Sequence, residues 1–425
     1  MTPEARHVPS RIFWGIASFQ VMAMFRRGLF YSFLSIYLRF YLGLSVTETT
    51  LFATLPMLFN VICQTYVWGG VSDRRQLRRT LIVWGELLAG IGTILVWYLH
   101  TLAGVGQAAG YVIILGLAVV EIFWSMSNVG WSALISDIYG IEDRGAVQGR
   151  LTSVGGLGRI LGIWIGGLLY DGMGLRYEGW GFQEGVLFFI ASGAMVVSVL
   201  PMLLVPEGGI GKGGGAPEAP PPEAEAGTRA AFILFLWAMV FINFGRNSIA
   251  VIMSQYLALD SGLALAGGMI SHVVNMQSVA VIGAGLMVGR LAGKYGHRRV
   301  LIWGTWGAAA SLVILAGVEG LAWMFAANFI RGVSEALITA SAYALASVLI
   351  PPERRGRGFG LFNATFFLSW GLAGTFISGP VIDGCMALGV PEVSAYQAAF
   401  MAAAVVTAVG MGLLLKVGPA ATGSR

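Results

Sequence analysis

The sequence predicts an all-α membrane protein of twelve transmembrane helices in two pseudo-symmetric six-helix bundles. Three observations carry this. Of 425 residues, 56% are hydrophobic and 11% charged, well below the quarter charged that is usual in soluble domains. The apolar residues gather in runs long enough to cross a bilayer, about 20 residues each. Landmarks of the first half also recur in the same order in the second.

Apolar runs over 12–40, 46–72, 79–101, 109–138, 146–170 and 184–205 predict the first six helices. Runs over 229–258, 263–292, 299–318, 320–349, 357–382 and 393–415 predict the second six. The tenth run begins almost without a loop, so the helix count over 299–349 is the open one. Between the halves, Glu207 to Thr228 holds Gly-Lys-Gly-Gly-Gly and a Pro/Glu/Ala run, a composition that buries no core and predicts a flexible linker. The organisation expected is a bundle over 1–206, a linker over 207–228 and a bundle over 229–425. Nineteen Lys and Arg fall on the side of the N-terminus and two, Arg39 and Arg176, fall opposite. That bias predicts a multi-pass protein of the cell inner membrane with both termini cytoplasmic. The short polar start and the long first apolar run argue against a cleavable leader.

The repeat is visible in four places. Phe25-Arg26-Arg27 corresponds to Phe244-Gly245-Arg246 at an offset of 219, and Arg78-Arg79 to Arg298-Arg299 at 220. Arg144-Gly145 corresponds to Arg355-Gly356 at 211, and Asp171-Gly172 to Asp383-Gly384 at 212. A duplicated six-helix unit enclosing a midplane site suits alternating access.

After the second helix comes Gly69-Gly70-Val71-Ser72-Asp73-Arg74-Arg75-Gln76-Leu77-Arg78-Arg79, and after the eighth Gly289 to Arg299. Both loops resemble the signature loop of the major facilitator superfamily: a Gly, an Asp four residues on, then a basic cluster. The resemblance covers nearly the whole chain. It implies twelve helices and secondary transport, with Gly69, Asp73, Arg74, Arg78 and Arg79 as a conformational latch. Gly69 would admit a neighbouring helix, and Asp73 would face a helix N-terminus. Two departures stand out: Gln76 occupies a usual Gly position, and Gly293 replaces the second Asp. Simple anchoring at the membrane surface explains the arginines but not Asp73. The fifth helix carries Gly158, Gly162, Gly166 and Gly167, which resembles the antiporter motif of drug exporters in that family, with Ile163 where a proline is usual. Gly158, Gly162 and Gly166 share one face and predict close helix packing. Gly285, Gly289 and Gly293 on the eighth helix have the same spacing and predict the same.

Charges inside the membrane are expensive, about 2.5–3.5 kcal/mol each on insertion scales, so each needs a reason. Five arginines fall within predicted helices, Arg26, Arg27, Arg159, Arg246 and Arg331, with Glu86, Glu121 and Glu335 comparably deep. The resemblance places Arg27 and Arg246 across a central cavity, where they would bind an anionic cargo group together with Gln20, Asn243, Asn247 and Asn363. Glu121 and Glu335 would carry the coupling proton. The alternative is static pairing of Arg27 with Glu121, of Arg246 or Arg331 with Glu335, and of Arg159 with Glu86 or Asp137. Aromatics such as Trp124 are expected to be packing or interfacial rings, and a cavity that takes amphipathic cargo would use some of them.

No nucleotide-binding P-loop, metalloprotease or serine-hydrolase motif is present, and no metal-ligand spacing involves the two cysteines. The basic residues are spread over short loops, which argues against nucleic acid. The expectation is therefore a transporter, not an enzyme, with no cofactor and no metal. Its partners are a small-molecule substrate, a coupling ion read as a proton, and the lipid bilayer. Proton-coupled export of amphipathic small molecules is the first reading. The alternatives are an organic-anion importer or exchanger and a lipid flippase.

Overall fold

The computed structural model describes residues 9–139, 141–208, 226–350 and 355–418. Twelve helical rods and no strand occur among them. The first six are α1 (Ser10–Ile36), α2 (Val46–Ser72), α3 (Arg78–Leu102), α4 (Gln107–Ile138), α5 (Ile141–Tyr170) and α6 (Val186–Met202). The second six are α7 (Arg229–Ala258), α8 (Gly267–Tyr295), α9 (His297–Gly317), α10 (Leu321–Leu349), α11 (Gly358–Ala387) and α12 (Glu392–Lys416). Ten of them are long and apolar enough to cross a membrane unaided. The exceptions are α6, with 17 residues, and α1, which carries Arg26 and Arg27. Large apolar side chains such as Trp84, Leu161, Leu286 and Trp306 are exposed, as suits helices solvated by lipid.

The 299–349 stretch does divide in two. Val318 turns extended and Gly320 takes φ +115°, a conformation open to glycine. In α7 the prediction of an unbroken helix fails: Ile249–Val251 is a turn. The Ser248 carbonyl, freed there, accepts from Ser378 Oγ on α11 at 2.6 Å, so a neighbouring helix satisfies the broken ladder. π-helical turns interrupt α2 at Gln64–Trp68 and α11 at Gly374–Ser378.

The Cα framework forms two compact units, Met1–Leu44 with Leu55–Ala216, and Ser45–Thr54 with Pro217–Arg425. The boundary cuts α2 just before Pro56. Within the first unit, α1 packs on α5 and α6, α3 on α4 and α6, and α2 on α4. Within the second, the equivalent pairs recur: α7 on α11 and α12, α9 on α10 and α12, and α8 on α10. Even the tightest contacts repeat. Gly85 on α3 meets Phe123 and Ser127 on α4, and Gly304 on α9, 219 residues on, meets Leu337 and Ile338 on α10. The second unit also holds the start of α2. Asp383 accepts from the backbone N–H groups of Val46 (3.0 Å) and Thr47 (2.8 Å), and Thr375 bonds Thr50 and Thr54 at 2.7 Å each.

The seam of the first unit is α1 against α5. A Cβ on Gly158, Gly162 or Gly166 would collide with the backbone carbonyls of Val21, Phe25 and Leu29 respectively. Gly28 on α1 packs in turn against Arg159 and Ile163. The corresponding seam of the second unit, α7 against α11, is polar: Asn243 Nδ2 donates to Thr365 Oγ1 (3.1 Å) and Asn247 Nδ2 to Ser369 Oγ (2.8 Å). On α8 the expectation fails. Gly285, Gly289 and Gly293 have no neighbouring atom within 4 Å of an added Cβ, because α8 turns that face away from the helices it packs on. Gly162→Val is accordingly expected to destabilise by about 1–3 kcal/mol or more through overpacking. Gly285→Ala should stay within about 1 kcal/mol of the parent. Thermal unfolding of the purified variants in detergent checks both.

Candidate functional site

The first unit gathers four ionisable side chains around one indole. α1 presents Arg26 and Arg27, α3 Glu86, and α4 Glu121 and Trp124. Arg26 is 2% exposed and its Cζ lies 3.4 Å from the Trp124 ring centroid, while Arg27 lies at 4.8 Å and is itself exposed. Cation–π attraction holds both guanidinium groups on the ring. The ring is fixed from its edge: Trp124 Nε1 donates to Glu86 Oε1 at 3.0 Å, and Ser127 Oγ donates to the same oxygen at 2.8 Å. Glu121 is held separately. Asn60 Nδ2 on α2 donates to its Oε1, and Gln64 Nε2 donates to Asn60 Oδ1. Among the described residues no carboxylate lies within 4.0 Å of Arg26 or Arg27, so the static Arg27–Glu121 pair is not formed. The Nε and Nη2 of Arg26 are buried with no hydrogen-bond partner among the described residues.

The second unit repeats part of this. Gln277 Nε2 on α8 donates to Glu335 Oε2 on α10 at 2.7 Å, so in both halves an amide on the second helix holds a carboxylate on the fourth. Arg246 Nε donates to Asn243 Oδ1 at 3.0 Å, and its Cζ sits 5.4 Å from the Phe366 ring. Asn243 and Asn247, read from sequence as cargo ligands, direct their amide N–H groups at α11 and bind helices together. Gln20 sits in the α1–α5 seam beside Gly155, and Asn363 is exposed.

The signature loop is structural to a degree the sequence did not indicate. The side chain of Asp73 lies outside the described residues. A Cβ on Gly69 would meet only Gln64 of its own helix, so the close approach expected of a neighbouring helix is made instead by the π turn. Gln76, standing where a Gly is usual, takes the left-handed conformation at φ +55°, which glycine adopts without strain. Arg74 is exposed. Arg78 is buried: it pairs with Asp137 at 3.1 Å, donates to the Ser72 carbonyl at 2.5 Å and hydroxyl, and reaches Gln76 Oε1 at 3.2 Å. Arg79 pairs with Glu207 at 3.2 Å, whose carboxylate also caps Thr80 N at 2.9 Å. Asp137 is thus bound to Arg78, and Glu86 to Trp124 and Ser127, rather than either to Arg159. Gly167 is buried beside the α5 glycine face. Among the described residues no three His, Cys, Asp or Glu side chains converge as metal ligands.

Asn60 and Gln64 escaped sequence reading. Their spacing of four in the mostly apolar stretch 55–68 was the available signal, since it puts two amides on one face. Trp124, expected to pack, is instead the platform of the arginine pair.

A sequence profile described as the Major Facilitator Superfamily matches residues 16–264 and 235–424. The chain belongs to the major facilitator superfamily. Over 183 residues it is 26% identical to a probable actinorhodin transporter of Streptomyces coelicolor, a match covering 43% of this chain and 30% of that relative. Its fold is similar to a bacterial homologue of the human lysosomal transporter Spinster (TM-score 0.74, 13% identity, 97% of each chain). It is also similar to a D-xylose–proton symporter (0.74, 11% identity, 98% of this chain and 99% of that one) and to a nucleoside transporter (0.71, 13% identity, 96% and 98%). As a facilitator-family member the protein is a multi-pass membrane transporter, with the fold of secondary carriers that work by alternating access.

The two loop ion pairs should differ in weight. Arg78 and Asp137 are 6% and 11% exposed, Arg79 and Glu207 33% and 28%. Asp137→Ala leaves a buried guanidinium uncompensated and is expected to destabilise by about 3–5 kcal/mol, whereas Glu207→Gln removes a solvent-screened pair worth about 1 kcal/mol or less. Thermal melts of the two variants distinguish the cases.

Proposed function

We propose that this facilitator-family member is a proton-coupled exporter of amphipathic small molecules. It would sit in the cell inner membrane with both termini cytoplasmic, the moving lobes being 1–206 and 229–425 joined through 207–228. The observation that carries the coupling is Glu121. This carboxylate is 7% exposed within a membrane helix, and it meets a neutral amide rather than a guanidinium. A carboxylate clamped by arginine stays ionised. One held by an amide can gain or lose a proton without stranding a partner charge. Glu335 on α10 also accepts from an amide, that of Gln277.

The outward direction draws support from the stretch similar to a probable actinorhodin transporter and from the glycine face of α5 against α1. The nineteen-to-two bias of basic residues supports the orientation. In this reading the Asp73 loop acts as the latch, and Arg78 and Arg79 fix its geometry.

A second reading, uptake or exchange of an organic anion, is favoured by one observation: two arginines share a ring with no carboxylate within 4.0 Å among the described residues.

Proteoliposomes loaded with an amphipathic fluorescent dye test the coupling. An imposed pH gradient should drive dye flux in the parent and not in Glu121→Gln, with dye–dye exchange retained by the variant. Gradient-driven flux at the parental rate in Glu121→Gln would remove Glu121 from coupling. In cells, unchanged dye retention on expression of the parent would remove the outward direction.

A further inference from the structure

The repeat contains a charge asymmetry. Arg27 and Arg246 are equivalent at an offset of 219, and at the offset of 211 Glu335 stands where the first half has Trp124. In the second unit the place of the indole is thus taken by a carboxylate on the fourth helix. In the first unit the same place holds an indole, and Arg26 adds a second guanidinium at 3.4 Å from it. The nearby carboxylates are engaged elsewhere, Glu86 by Trp124 and Ser127 and Glu121 by Asn60.

Arg26 is 98% buried, yet its Nε and Nη2 have no acceptor among the described residues. A buried cation with empty donors is strongly unfavourable unless something completes it. Nε with one Nη forms the guanidinium edge that grips a two-oxygen group through parallel N–H···O bonds, a better match to a carboxylate than to a spherical ion. One turn further along α1 the half-buried Tyr31 supplies an aromatic face, and exposed Arg27 gives the site a second cation.

We propose that Arg26 and Arg27, held on Trp124, bind the acidic group of an aromatic organic anion, a carboxylate carried on a flat ring system. The proposal deepens the second transport reading, that of an organic anion, by naming its substrate class, and rests on that reading for its use but not for the binding itself. Either direction of transport accommodates it.

Calorimetry on the purified full-length protein tests it with 2-naphthoate and its neutral counterpart 2-naphthamide. The parent should bind naphthoate at least tenfold tighter than naphthamide. Arg26→Gln should erase that preference, and so should Arg27→Gln, whose exposed position keeps the test valid if the buried substitution fails to fold. Equal affinity for the two probes, no naphthoate binding, or a preference that survives in folded Arg27→Gln overturns the site. Flux measured on the same preparations separates the two ideas. A naphthoate preference without proton-driven flux leaves the anion site standing and removes the coupling, and the converse result removes the anion site alone.

Discussion

A charge placed in hydrocarbon must be compensated by something close, and this constraint organises the molecule more than any single helix contact. Each membrane carboxylate whose partners are seen has its own form of compensation. Glu86 takes an indole N–H and a hydroxyl, and Glu121 and Glu335 each take an amide. Arg78, at the end of its helix, takes a full counter-charge in Asp137. The forms are not equivalent. An ion pair is stable only while both members stay charged, whereas hydrogen bonds to neutral donors tolerate a change of protonation. The ion pairs Arg78–Asp137 and Arg79–Glu207 lie at the loop end, where geometry has to be constant. The neutral donors surround the carboxylates deep in the membrane.

Tight backbone contact serves the same end. α1 must present Arg26 and Arg27 to α4 without drifting, and it is clamped by its carbonyls resting on Gly158, Gly162 and Gly166. The second unit reaches the equivalent seam differently, with Asn243 and Asn247 hydrogen-bonded to α11. Small residues let two backbones approach closely, while side-chain hydrogen bonds join helices set further apart. The duplicated halves thus share topology and differ in what holds their first-helix seam.

Most of the fold was legible because a run of about 20 apolar residues has one stable form in a bilayer, and because ordered landmarks betrayed the repeat. The break in α7 was not legible, since it depends on Ser378 supplying a hydrogen bond from 130 residues away. Glycine spacing identified the α5 seam and misled on α8: spacing states which residues share a face, not whether a helix covers it. The site was half legible. Buried charges announced themselves by their cost, but their partners did not. Asn60 lies 61 residues from Glu121, and nothing local marks Trp124 as a platform rather than a packing ring. Nor did the sequence show that Asn243 and Asn247 hydrogen-bond α7 to α11, through Thr365 and Ser369.

If the arginine–indole cluster binds cargo and Glu121 carries the coupling proton, as proposed above, the cluster ties the charge of the cargo to the sign of its coupling. With Arg26, Arg27, Glu86 and Glu121 all ionised the group is neutral. A proton on Glu121 leaves it one positive charge, which strengthens the hold on an anion, and by linkage a bound anion strengthens the hold on the proton. A cation would instead be repelled by the protonated state, so proton and cation would exclude one another. Joint occupancy is the condition for movement in one direction, and exclusion is the condition for exchange. An anion leaving a cell whose interior is negative needs no proton to drive it, because each charge moved across the field is worth about 2.3 kcal/mol per 100 mV. The same few side chains can therefore support uptake with protons or release down the potential, and which one prevails is set by where the protonated, loaded state prefers to open.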